Sequence, residues 1–60
     1  DLAKTEKVMF RLGDAYERAG DLEDAERAYA LYQESFPASE RLPEVTERLK
    51  IIRQQRSSAL

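Results

Sequence analysis

The sequence predicts an all-α fold, an antiparallel helical hairpin followed by a third, capping helix. Three observations predict it. Apolar residues recur at three- and four-residue steps through three stretches, Gly20 and Pro37 fall between those stretches as stop signals, and no run alternates β-branched or aromatic residues with polar ones as a half-buried strand would.

The first helix is expected over about residues 2–19, where Val8, Met9, Leu12, Ala15, Tyr16 and Ala19 fall on one face. Gly20 ends it, because glycine enters the left-handed region without a Cβ penalty. Asp21 then offers a carboxylate to the free N–H groups of a second helix over about residues 22–36, and Glu23 and Asp24 suit its positive N-terminal end. Leu22, Ala25, Ala28, Tyr29, Tyr32 and Phe36 form its apolar stripe. Pro37 closes it by supplying no N–H and by disfavouring helical geometry in the residue before it. The third segment opens around Ser39 and its helix is expected over about residues 40–56, with Leu42, Val45, Leu49 and Ile52 on one stripe; Pro43 is tolerable only near a helix start, which places the boundary between Glu40 and Pro43. The tail, residues 57–60, is expected to fray.

Sixty residues make a single domain, 1–60, and a domain of that size buries only about 60% of the surface its unfolded chain exposes. The absence of Cys and His removes disulfides, thiolate nucleophiles, imidazole bases and the usual zinc ligands. We therefore expect no cofactor, no metal and no enzymatic activity. A net charge of −2 with 37% charged residues describes a mixed, solvated surface that would not attract nucleic acid. No apolar run approaches the roughly 20 residues that span a bilayer, so no transmembrane segment is expected. The chain starts at Asp1 without Met and reads as a fragment or a processed product. Acid pairs such as Glu23-Asp24 and Glu44-Glu47 fall in first-turn positions, where helix capping explains them better than catalysis.

Gly13 stands in the middle of the first helix, where it costs about 1 kcal/mol against Ala. A close helix crossing is the reason we assign to it. Ala25 and Ala28 supply the matching shallow surface on the second helix, and Tyr16 and Tyr29 fill the space beside it.

Nine residues in this spacing, Leu12, Gly13, Ala15, Tyr16, Gly20, Asp21, Ala25, Tyr29 and Pro37, resemble the tetratricopeptide repeat, a helix-turn-helix unit of α-α superhelices used for protein recognition. The resemblance covers Glu6 to about Ser39. It departs at Tyr32 and Gln33, where many members have Ala and Leu, and at Phe36 before the proline. That variant looks like repeats of bacterial periplasmic and outer-membrane proteins, such as Tol-Pal coordinators and outer-membrane assembly lipoproteins. Phe36-Pro37-Ala38-Ser39 and Pro43-Glu44-Val45 match their linker, which favours the periplasm or cell envelope slightly over the cytoplasm. Leu49 stands 37 residues after Leu12, where a next repeat would place its leucine, but Lys50 replaces the glycine. A long side chain there bars a close helical partner, so the third helix would act as a terminal cap. Lys50, Arg53 and Arg56 would keep its end soluble and suit the negative helix C-terminus.

The resemblance also implies a binding face. The first helix of such a repeat lines a concave groove for peptide segments, and Lys7, Phe10, Arg11, Asp14, Glu17 and Arg18 would face it. Lys7 and Arg11 resemble half of a two-carboxylate clamp for a peptide's C-terminal end; as an alternative they are solvated helix charges, with Asp14 offsetting Arg11 at i,i+3. Phe10, off the main stripe, is either a contact residue or ordinary packing. Leu2, Leu31 and Ile51 also lie off the stripes. Since about three repeats are usually needed to bury such faces, Leu31 and Ile51 are candidates for pairing with neighbouring repeats or in a homo-oligomer. Two functions follow: a module that binds a protein or peptide partner, or a structural self-association element.

Overall fold

A computed structural model describes residues 2–58, with side chains from residue 5 to residue 58. Its three helices are α1, Leu2–Ala19, α2, Leu22–Ser35, and α3, Leu42–Ser58. The turn from α1 to α2 is built on Gly20 at φ 84. Its N–H donates to the Glu17 carbonyl (3.1 Å) while that of Asp21 donates to the Tyr16 carbonyl (2.9 Å), a pair that satisfies two carbonyls at the helix end. Asp21 caps α2 with its carbonyl, which accepts from the Ala25 N–H at 2.9 Å; the expected carboxylate cap is not formed.

α2 ends at Ser35, with the Phe36 N–H still bonded to the Tyr32 carbonyl at 2.8 Å before Pro37. α3 starts at Leu42, inside the window between Glu40 and Pro43 expected for its start, and Ser39 organises the preceding turn. Its Oγ accepts from the Arg41 N–H and its carbonyl from the Leu42 N–H, each at 3.1 Å. Pro43 thus falls in the first turn, where its missing N–H has no intrahelical acceptor to lose. Ser57 and Ser58 continue α3 rather than fraying, while Ala59, Leu60 and the Leu2 side chain lie outside the described residues.

α2 is the middle layer, packed by α1 on one side and α3 on the other. The core consists of Ala25, Tyr29 and Tyr32 from α2 with Val45, Leu49 and Ile52 from α3, each no more than 1% exposed. The α3 stripe is the one expected, with Leu42 packed at its edge. The α1 stripe is met only in part, since Met9 and Tyr16 pack inward while its other four residues do not. Val8 is 61% and Leu12 45% exposed, and Ala15 and Ala19 are also on the surface.

Gly13 explains the difference. It is buried against the Tyr29 ring, so closely that a Cβ there would stand 2.6 Å from Cε1 and 2.8 Å from Cδ1. α1 therefore turns the line of Met9, Phe10, Gly13 and Tyr16 toward α2, and the apolar line one residue round the helix faces solvent. Phe10 meets Tyr29 and Tyr32 edge-on, with ring centroids 6.2 Å apart in both pairs, and Tyr32 continues to Phe36 at 5.4 Å.

Candidate functional site

Lys7, Phe10, Arg11, Asp14, Glu17 and Arg18 are carried by α1, but their roles differ. Phe10 is half-buried between the tyrosines, with the Arg41 guanidinium 4.7 Å above its ring, so it packs the junction instead of standing free. Asp14 pairs with Arg18 at 3.1 Å and leaves Arg11 alone. The i,i+4 partner wins over the i,i+3 partner that sequence spacing also offered.

Glu17 is drawn across to α3. Arg48 grips it with two nitrogens, Nε donating to Oε1 at 3.1 Å and Nη2 to Oε2, and the Tyr29 hydroxyl donates to Oε1 at 3.3 Å. This cluster ties all three helices at one point. The same logic recurs at the far end of α3, where Arg53 (3.0 Å) and Arg56 hold Glu26 of α2. The expected solubilising row on α3 is thus largely a set of cross-helix ties, while Lys50 stays exposed. Hydrogen bonds from Arg53 and then Arg56 hold the Glu26 carboxyl below its ordinary value of 4.5, against the opposing effect of desolvation.

A third cluster joins α1 to the α2–α3 loop. The Tyr32 hydroxyl (2.7 Å) and Ser39 Oγ (2.6 Å) both donate to Glu6 Oε2, and the two hydroxyl oxygens lie 2.7 Å apart. Ser39, then Tyr32, lowers the Glu6 carboxyl from 4.5, with a smaller contribution from Arg41. Burial raises the Tyr32 phenol, and Glu6 adds to the rise while Ser39 opposes it. Tyr32 was legible as a departure from small residues in similar repeats. Glu6 had no such signal, because its partners lie 26 and 33 residues away.

On this side of α1 the acids Glu6, Asp14 and Glu17 are therefore all engaged. Among the described residues, Lys7, Arg11 and Arg41 enter no ion pair, and all three are exposed. Leu31 is 52% exposed and lines an open cleft of about 220 Å³ with Leu12, Tyr16, Asp24, Arg27 and Ala28. Ile51 is half-buried on α3 and does not line that cleft.

Among the described residues no group of His, Cys, Asp and Glu could hold a metal ion, and no helix is long and apolar enough to cross a membrane. The chain matches no family model, no curated protein and no solved structure. Its all-α, three-helix architecture, a hairpin with a third helix covering α2, is established by the structure itself.

Proposed function

We propose that the chain is a non-enzymatic protein-interaction module, a tetratricopeptide-like hairpin with a capping helix from a larger protein, and that its α1 face holds an acidic peptide segment. The observation that carries this is the sorting of charge on that face: its carboxylates are bound within the chain, whereas Lys7 and Arg11 enter no ion pair and are exposed, and Arg41, stacked over Phe10, forms no ion pair either. Lys7 and Arg11, one turn apart on α1, can meet carboxylates spaced along an extended peptide, and such pairing favours association and selects partner charge. The nine repeat-like residues support the recognition role. The Phe36-Pro37-Ala38-Ser39 junction supports a bacterial cell-envelope parent slightly over a cytoplasmic one.

Fluorescence polarisation with a labelled Asp/Glu-rich peptide tests the reading. We expect saturable binding that weakens with salt and falls at least tenfold in Lys7→Ala/Arg11→Ala, with helicity unchanged. Equal binding of a Lys-rich peptide, or no loss in the double variant, overturns it.

A further inference from the structure

The apolar line that α1 turns to solvent is spaced 8, 12, 15, 19, the four-three-four step of a helix-pairing seam. Its sizes are ordered: Val8 and Leu12 are large, Ala15 and Ala19 small. Run antiparallel against a copy of itself, the line sets Val8 opposite Ala19 and Leu12 opposite Ala15, so that each large side chain meets a small one. A parallel copy would set large on large and leave the alanines facing one another across a gap. We infer that α1 pairs with α1 of a second copy of this chain, antiparallel about a two-fold axis between residues 13 and 14, through Val8, Leu12, Ala15 and Ala19.

The surroundings favour a second copy in this orientation. Next to the seam, Tyr16, Ala28 and Leu31 extend the apolar surface onto α2, and its rim carries both signs of charge in Asp24 and Arg27. On the other flank Arg11 and Arg18 approach their counterparts, but Arg18 brings its Asp14 partner. Head-to-tail stacking is disfavoured because exposed positions along α3, Thr46, Glu47, Lys50, Arg53, Gln54 and Gln55, are polar. With the axis between residues 13 and 14, the two helices overlap only over residues 8–19, about 18 Å. A strip of that length and one helix diameter, about 10 Å, wide covers roughly 200 Å² per partner, well below the roughly 800 Å² of a standard interface, so the dimer is weak and reversible.

The chain has no cysteine, which makes crosslinking a clean test. Val8→Cys and Ala19→Cys are separate surface changes, and the two chains are mixed under mild oxidation. Antiparallel pairing brings residue 8 of one copy to residue 19 of the other, so the mixed disulfide forms in preference to either self-disulfide. In that arrangement two copies of residue 8 stand about 16 Å apart along the axis, beyond the roughly 7 Å limit between Cα atoms for a disulfide. Sedimentation of the unmodified chain should show a dimer that Leu12→Glu shifts to at least tenfold higher concentration and that added salt does not weaken. A monomer throughout, or Val8→Cys self-disulfides outnumbering the mixed product, overturns the proposal. Because salt weakens acidic-peptide binding but not this contact, failure of either reading is distinguishable from failure of the other.

Discussion

Replacing Gly13 by Ala tests the close crossing of α1 and α2. In an unhindered helix this change adds about 1 kcal/mol of stability. Here the new Cβ would meet Tyr29 at 2.6 Å, 2.8 Å and 3.0 Å, on ring atoms Cε1, Cδ1 and Cζ. The ring cannot swing aside freely, since it is 1% exposed, packs edge-on against Phe10 and bonds through its hydroxyl to Glu17. Overpacking of this kind costs about 1–3 kcal/mol, which outweighs the helical gain and leaves a net loss of about 1 kcal/mol. A domain this small would then melt about 4–8 °C lower. Thermal and urea denaturation followed by circular dichroism measure it. In a Tyr29→Leu background, held folded with an osmolyte if needed, the obstructing ring is gone and Gly13→Ala should stabilise. Gly20→Ala is the control: nothing lies within 4 Å of its Cβ, but φ 84 costs a non-glycine residue about 1–2 kcal/mol in either background. If Gly13→Ala raises the melting temperature with Tyr29 intact, the packing argument fails.

Tyr32→Phe keeps the core ring but removes one donor to Glu6, and since Ser39 still donates, denaturation should show a loss of only about 0.5–1.5 kcal/mol. Glu6 and Glu26 have lowered folded values, so their contribution is fully present above the unfolded value near 4.5 and is lost as pH falls through the lower folded values. Acid titration of Glu26→Gln should therefore show a shallower fall in stability below pH 4.5 than the unmodified chain. Tyr29 and Tyr32 have raised values, chiefly from burial, so their contribution is present below pH 10 and lost as pH rises through the folded values. Ultraviolet titration should find their ionisation coincident with alkaline unfolding.

Punctuation and the α3 stripe were legible because they are local. Gly20, Pro37 and the Val45–Leu49–Ile52 spacing act within a turn or two of chain. The inward face of α1 was harder to read, since Val8-Leu12-Ala15-Ala19 and Met9-Gly13-Tyr16 are stripes only one residue, about 100°, apart. The spacing joins both lines into one face; the close crossing expected at Gly13 is what decides between them, because the missing Cβ admits the Tyr29 ring on the Met9-Gly13-Tyr16 side. Polar partners were least legible. Asp14 had Arg11 and Arg18 both at helical-neighbour spacing, and only geometry separates them. Glu17 and Arg48, 31 residues apart, leave no trace in local pattern, and neither do Glu26, Arg53 and Arg56.

These contacts give α1 a different mechanical status from its neighbours. Among the described residues, every buried apolar side chain belongs to α2 or α3; α1 contributes the buried Gly13 backbone, half-buried Met9, Phe10 and Tyr16, and the carboxylates of Glu6 and Glu17. An element with few buried apolar contacts opens at lower free energy than the core. It is also the element that carries both proposed binding surfaces. Whatever binds α1 only in its docked form must therefore stabilise it by mass action. Hydrogen exchange should find α1 amides the least protected at low chain concentration. Their protection should rise with chain concentration through self-pairing, or with added acidic peptide, while α2 and α3 change less. If α1 and α3 exchange alike and neither responds, α1 is an integral part of the core and the link between its weak anchoring and binding is wrong.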